Sequence, residues 1–322
     1  MNVLITGVAG LYGVHLANLL LKREDVAQVI GADDFSREFL VDPLTLINCS
    51  GESENGKFRF LKMDFRDLSP KLLDELEVDV VVHLAAFVSI DESMDNPVRY
   101  FEVNEIGTFK LCQSLFKTKR RPYLIYASSP EVYGNPIYTP MDVDHPLYPR
   151  SIYAVTKLAA EKHCHALFQW YGYPVAIIRN FNTYGENQNN GRYAAVIPAF
   201  ISRALKGEDL ILHWGGKQSR DFTYVKDAVR AYSLLISKRK QFKGSIFNIG
   251  TGKQTYILEL AEKIVKLANS PSKIISKSGR FADLEKLEAD ITRTTEKLGW
   301  KPKCTLEEGL ERTINWYRRL VK

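Results

Sequence analysis

One short stretch near the start of the chain restricts the fold more than any other. Asn2–Thr6 is an apolar run, followed at once by Gly7-Val-Ala-Gly10-Leu-Tyr-Gly13 and then an amphipathic stretch through Leu20. A strand, a glycine-rich turn and a helix in that order form the opening of a dinucleotide-binding βαβ unit. Glycines let the backbone turn tightly and come close to a pyrophosphate, whose charge is met by the N–H groups that open the helix. The spacing is Gly-x-x-Gly-x-x-Gly rather than Gly-x-Gly-x-x-Gly, so the motif alone is moderately specific. Gly7, Gly10, Leu11, Tyr12 and Gly13 are the candidate cofactor-binding residues of this turn.

The next apolar run, Val26–Ala32, ends at Asp33, about twenty residues beyond the glycines. A carboxylate there accepts from both hydroxyls of an adenosine ribose and repels a 2′-phosphate, which predicts NAD over NADP. Arg37 is close enough in sequence to favour a phosphate instead, but Asp33 sits at the strand end itself. Asn48–Lys57 is small and polar and reads as a mobile surface loop. Phe58–Met63 is a further strand ending in Asp64, so that Asp64 and Phe65 lie near the adenine. Val78–Leu84 is almost continuously apolar, as a parallel strand covered on both faces should be. It leads into Ala85 and Ala86, small enough for close approach of a cofactor.

Tyr100–Leu115 has helical periodicity, and Leu124–Ala127 is again a short buried strand. Strands alternating with helical stretches at this rhythm predict an α/β fold with a doubly wound, Rossmann-like parallel sheet. After Ile178 the pattern loosens around Gly185–Arg192 and Gly215–Arg220. The reading is a dinucleotide-binding domain over 1–180 and a smaller α/β substrate-binding lobe over 181–322, with segments around 220–250 returning to the first domain. Ile257–Leu267 and Leu306–Tyr317 are the helical stretches of the tail.

Composition excludes several classes. The 322 residues are 45% hydrophobic and 25% charged, as in an ordinary globular protein. No apolar run reaches the roughly 20 residues of a membrane span: Leu16–Leu21 contains Asn18 and stops at Lys22. The start lacks a basic segment and runs straight into a strand, which reads as cytoplasmic. Cys49, Cys112, Cys164 and Cys304 are scattered, and His163 and His165 point to different sides of a helix, so no metal site is expected. A net charge of +6 suits a small anionic substrate, and no basic stripe with interleaved aromatics suggests nucleic acid.

Ser151-Ile-Tyr153-Ala-Val-Thr-Lys157 reads as the start of a helix. Residues four apart share a helix face about one turn from each other, which brings an ammonium near a phenol. Lowering a tyrosine from pKa ~10 to neutrality takes about 4 kcal/mol of preferential phenolate stabilisation. A unit charge ~4 Å away at an effective dielectric near 20 supplies about that much. Many helices contain this pair by chance, so its weight comes from the rest of the chain.

That context is extensive. Besides the glycine turn, Asp33 and the Tyr153/Lys157 pair, the chain carries His83-Leu-Ala-Ala86, Asn104-x-x-Gly107-Thr108 and Ser128-Ser129-x-x-Val-Tyr133-Gly134. Farther on come Arg179-x-Phe-Asn182-x-x-Gly185, Arg220-Asp-Phe-x-Tyr224-Val and Leu298-Gly-Trp300-x-Pro302. From end to end it resembles the extended short-chain dehydrogenase/reductases of the nucleotide-sugar epimerase/dehydratase family, and is similar in outline to the UDP-glucose 4-epimerases. The resemblance implies an NAD-dependent enzyme acting on a nucleotide sugar, with Ser129, Tyr153 and Lys157 as the catalytic triad. Tyr153 takes the proton of the sugar 4-hydroxyl while hydride leaves C4. Lys157 holds the nicotinamide ribose and lowers the tyrosine pKa, and Ser129 bonds the sugar oxygen. Leu84, Ala85, Ala86 and Asn104 join the cofactor set, whereas Asn182, Arg220 and Arg280 match positions that contact the substrate diphosphate. Homodimerisation through the helices around Tyr100–Phe116 and Tyr153–Tyr171 is implied as well.

Two departures bear on the reaction. Dehydratases of this family usually carry an Asp-Glu pair after the serine, and here the pair is Pro130-Glu131, so the acid is missing. Glu131 remains as a candidate base at C5, or as a packing or capping residue. Decarboxylases tend to have an arginine just before the position of Asp290, where this chain reads Leu287-Glu-Ala289. The expectation is a 4-epimerase of the UDP-glucose/UDP-galactose type, the alternatives being a UDP-glucuronate decarboxylase, a 4,6-dehydratase using Glu131, or a non-catalytic NAD-binding regulator.

Overall fold

The structure is a computed structural model that describes residues 1–37, 39–48, 56–191, 193–277 and 284–320. Most of the loop expected over Asn48–Lys57 lies outside the described residues, as do Cys49, Arg192 and Arg280.

Among the described residues, seven strands form one parallel sheet: β1 (Asn2–Thr6), β2 (Gln28–Asp33), β3 (Phe58–Lys62), β4 (Val78–His83), β5 (Tyr123–Ser128), β6 (Val175–Asn180) and β7 (Ser245–Ile249). Their order is β7-β6-β5-β4-β1-β2-β3. The sequence of connections reverses direction between β1 and β4, and ligands of open α/β sheets bind at the carboxyl ends of strands at such a switch point. Successive side chains alternate between faces, and both faces are apolar. Val3, Ile5, Val80, Val82, Ile125 and Ile178 pack with α1 (Leu11–Leu21) and α2 (Val225–Ser237) on one side. Leu4, Ile30, Val81, Leu124 and Ile177 pack on the other with α3 (Thr108–Phe116) and α4 (Ile152–Tyr171).

The segment Tyr100–Leu115 is not one regular helix. Pro97–Tyr100 is α-helical, Phe101–Gly107 is π-helical, and α3 follows. The Thr108 hydroxyl donates to the Asn104 carbonyl at 2.6 Å, and Gly107 lies so close to the Phe65 ring that a Cβ would stand 2.8 Å from it. Periodicity reports that a face is buried and cannot register one extra residue in a turn.

The C-terminal part adds Val196–Lys206, Ile257–Ala268 and Leu306–Leu320 as helices. Short strand pairs join Leu210–His213 to Ile274–Lys277, Ser219–Arg220 to Thr255–Tyr256, and Thr183–Tyr184 to Thr223–Tyr224. Trp300 is fully buried and donates its indole N–H to the Asp227 carbonyl at 2.9 Å. Among the described residues no helix is long and apolar enough to cross a membrane.

Candidate active site

The glycine turn lies at the switch point. Gly7 has a φ of 71°, and a Cβ there would stand 2.7 Å from the Ala85 nitrogen. At Gly13 a Cβ would be 2.4 Å from the Val8 carbonyl oxygen. The turn is therefore pressed between β1, α1 and the strand end at Leu84–Ala86. Gly10 precedes α1 without any side-chain cap, and the first turn holds no acidic residue. Leu11 and Tyr12 open that turn, and the Tyr12 ring meets Tyr232 edge-on at 6.0 Å. Uncapped N–H groups at a helix start suit an anion. At the end of β2, Asp33 accepts from the Ala9 N–H and the Phe35 N–H, both at 3.0 Å. Burial raises its pKa above the usual carboxylate value. Cradle and carboxylate together fit a dinucleotide.

Several of the predicted cofactor residues are held in place by neighbours in the protein. Asn104 accepts from the Phe87 N–H and donates to the Phe87 carbonyl, both at 2.9 Å, and its amide also reaches the Thr156 hydroxyl at 3.4 Å. Its amide thereby ties the loop after β4 to the helical segment that carries it. Asp64 caps the short turn Phe65–Asp67 and pairs with Arg66 at 2.6 Å, while Phe65 is buried with its ring 4.7 Å from His83. His83 is held between the hydroxyls of Thr6 (2.7 Å) and Thr108 (3.0 Å). Burial, followed by the charge of Lys157, brings its pKa down to about 3, so the ring is neutral.

Tyr153, Lys157 and Ser129 meet at the carboxyl end of β5. Ser151 caps α4 by accepting from the Ala154 N–H at 3.1 Å, which puts Tyr153 in the first turn and Lys157 in the second. Lys157 donates to the Ala127 carbonyl at 2.5 Å, and its ammonium lies 4.4 Å from the Tyr126 ring centre. Burial pulls its pKa down to about 7, against the opposing influence of Cys164 and Glu161. Tyr153 is packed with Phe87 and Tyr100. Burial pushes its phenol up to about 12; a hydrogen bond with Ser129 and the charge of Arg37 act to lower it, and Glu131 acts to raise it. The sequence argument placed an ammonium beside the phenol and so a lowered pKa. In the protein alone that lowering is absent, because the ammonium is engaged with the strand backbone and desolvation prevails.

Ser129 caps the short helical turn Pro130–Tyr133, its oxygen accepting from the Glu131 N–H at 3.3 Å. Behind it lies a buried network absent from the list of sequence candidates. Ser128 donates to Glu161 at 2.6 Å, and Glu161 pairs with Arg179 at 2.6 Å with both side chains almost fully buried. Arg179 also donates to the Tyr133 hydroxyl at 2.9 Å, and that hydroxyl donates to Asn248 at 2.7 Å. Glu161 lies one helical turn beyond Lys157, a spacing visible in the sequence, but its partner could not be read there.

On the C-terminal side, Asn182 has a buried side-chain oxygen with no protein partner, and so does the hydroxyl of Thr223, whose N–H donates to the Asn182 carbonyl at 2.9 Å. Buried polar atoms without a protein partner, on residues joined through their backbones, suit a polar ligand. Thr223 was not anticipated. Arg220 directs one guanidinium nitrogen at the carbonyls of Ser219 and Leu284, both at 2.8 Å.

The chain is similar to known proteins over nearly its whole length. The GDP-mannose 4,6 dehydratase family model matches residues 4–313. A putative UDP-glucose 4-epimerase of Methanocaldococcus jannaschii is 34% identical over 98% of both chains. A UDP-N-acetyl-alpha-D-glucosaminuronate decarboxylase of Bacillus cytotoxicus is 33% identical, again over 98% of both. Among solved structures, the UDP-glucuronic acid 4-epimerase of Bacillus cereus, in complex with UDP-glucuronic acid and NAD, superimposes with a TM-score of 0.88 at 28% identity, covering 99% of this chain and 100% of that one. The chain is thus an extended short-chain dehydrogenase/reductase and belongs to the GDP-mannose 4,6-dehydratase family of NAD-dependent nucleotide-sugar epimerases and dehydratases.

Proposed function

We propose that this protein is a nucleotide-sugar 4-epimerase that works on a UDP-hexose with tightly held NAD. The observation that carries the reading is the grouping of Ser129 and Tyr153 at the end of β5, with Pro130 where a dehydratase acid would stand. Gly7, Gly10, Gly13, Leu11, Tyr12 and Asp33 would hold the dinucleotide, with Asp64, Phe65, Leu84, Ala85 and Ala86 along its adenine and nicotinamide walls. When bound, NAD supplies the hydride acceptor and a positive ring.

Tyr153 takes the proton of the sugar 4-hydroxyl, and Ser129 holds the same oxygen and passes the proton on. Lys157 carries the charge that favours the phenolate once it is drawn from the Ala127 carbonyl toward the ribose hydroxyls. The resulting 4-ketone would turn over in the site, so that the hydride taken from C4 is restored to its other face while Tyr153 returns the proton to the oxygen, giving the epimer. Asn182 and Arg220 would hold the diphosphate, a guanidinium being well matched to phosphate oxygens; Arg280 is proposed beside them from sequence alone. Residues 1–180 form the dinucleotide half and 181–322 the sugar half, with the stretch around 220–250 shared.

A second copy of the chain is proposed on the helices that carry Phe101, Phe109, Phe116, Val155, Trp170 and Tyr171, all exposed, with Trp170 at 82%. Incubating the purified protein with UDP-glucose or UDP-galactose and resolving the products tests the reaction. Interconversion supports it; no interconversion of any UDP-hexose or hexuronate rejects it.

A second reading rests on Glu131, whose charge reaches the Tyr153 hydroxyl. As a base at C5 it would support dehydration or decarboxylation. A 4-keto-6-deoxy product, or carbon dioxide released from UDP-glucuronate, would favour that reading.

A further inference from the structure

Arg37 stands four residues past Asp33, on a loop that folds back across the end of the sheet. Two side-chain turns shape it: Asp33 accepts from the Phe35 N–H and Asp34 from the Ser36 N–H, both at 3.0 Å, with Phe35 at a φ of 55°. The guanidinium is carried to the loop after β4. There it lies 5.1 Å from the centre of the Phe87 ring and 3.6 Å from Glu92. Arg99 approaches the same ring at 3.9 Å and the same carboxylate at 3.5 Å. Two guanidinium groups therefore share one carboxylate, and the cluster keeps an excess positive charge.

One detail points to a ligand. The Nη2 of Arg37 is shielded from solvent, and the Glu92 carboxylate that it pairs with stands 3.6 Å away, beyond hydrogen-bond distance. A shielded donor of a charged group that is ion-paired but not hydrogen-bonded has room for a closer acceptor. Its position supplies one. Phe87 directly follows Ala85 and Ala86, and Ala85 lies against Gly7. The guanidinium thus borders the groove whose other wall is the glycine turn and the uncapped start of α1. A dinucleotide laid with its ribose on Asp33 and its nicotinamide toward Tyr153 carries its diphosphate between those walls. The influence of Arg37 on both Tyr100 and Tyr153 agrees with a charge at that place.

We propose that Arg37 is the outer clamp on the cofactor diphosphate, donating to its oxygens from the side opposite α1 while Phe87 and Glu92 hold the guanidinium in position. This rests on the reading that the groove takes NAD. It gives Arg37 a role other than the 2′-phosphate contact that its sequence position suggested.

Calorimetric titration of nucleotide-stripped protein with NAD, NADP, ADP and adenosine tests it. In Arg37→Gln, NAD and ADP should each bind about ten- to a hundredfold more weakly, and adenosine should be unchanged. Arg37→Lys should recover part of the loss, and the wild-type affinity for ADP should fall more steeply with salt than that of Arg37→Gln. Glu92→Gln, which frees the guanidinium, should bind NAD at least as tightly as the wild type. NAD affinity in Arg37→Gln within twofold of wild type would overturn the clamp. So would an equal loss for adenosine, or a loss confined to NADP. Failure of the wild type itself to bind NAD would instead reject the cofactor reading. Should Arg37→Gln fail to fold, the Glu92→Gln titration decides, weaker binding of NAD overturning the proposal.

Discussion

Lys157 donates its hydrogen bond to the Ala127 carbonyl, 2.5 Å away, and not to the Tyr153 hydroxyl one turn earlier on the same helix. The two side chains on which the chemistry would depend are thus uncoupled by hydrogen bonding in the protein alone. The ammonium is buried over the Tyr126 ring, and the phenol is buried among Phe87 and Tyr100. Several measurable consequences follow from the separation.

Tyr153 should stay protonated in the cofactor-free protein up to about pH 11, given a phenol pushed up to about 12 by burial. Ultraviolet difference titration of wild type against Tyr153→Phe isolates its phenolate signal. With NAD bound, the signal should move down by several units, since a positive ring and a reoriented ammonium both favour the anion. An unchanged midpoint would remove the phenolate base from the mechanism.

Lys157→Met should stabilise the cofactor-free protein at pH 6 and abolish turnover. The lysine is brought down to about 7 in the folded chain, against roughly 10.4 when unfolded. The unfolded state therefore binds more protons between those values, and stability rises with pH across that window. The penalty is fully present below pH 7, where both states are protonated, and is gone above about pH 10. Thermal denaturation should place the gain at pH 6 on the order of a few kcal/mol, shrinking toward pH 10.

Glu131→Gln separates the two enzymatic readings. Under 4-epimerisation kcat should change by less than about tenfold, with a small increase in Tyr153 acidity because a neighbouring negative charge is lost. Under dehydration or decarboxylation turnover should vanish. Product analysis by chromatography on the same samples gives the answer.

Glu161→Gln should cost about 3–5 kcal/mol of stability, because it leaves the almost fully buried Arg179 guanidinium without its counter-charge. Urea denaturation of the variant against the double change Glu161→Gln/Arg179→Met checks this. The double variant should recover part of the loss.

Much of this architecture is legible in the sequence, for a physical reason. A parallel strand covered on both faces has to be apolar throughout, so β1 and β4 could be placed to within a residue or two from Asn2–Thr6 and Val78–Leu84. The edge strand β7 was not singled out, since Ser245, Asn248 and the flanking Gly244 and Gly250 dilute the signal. The π-helical turn at Phe101–Gly107 escaped because one additional residue leaves the apolar stripe in place. At the site, spacing brought Tyr153 and Lys157 to one helix. It could not say which way a flexible ammonium turns, and the Ala127 carbonyl decides that. Arg37 is the clearest case: four residues from Asp33 in sequence, its head group belongs to Phe87 and Glu92.

Pro130 has a consequence beyond the missing acid. Proline has no backbone N–H, so the first amide that the Ser129 oxygen can receive in this turn is that of Glu131, and it does. With one lone pair occupied there, the serine oxygen keeps its second lone pair and its rotatable proton for other partners. A four-residue turn thus anchors the oxygen of Ser129 from the backbone side before any sugar arrives.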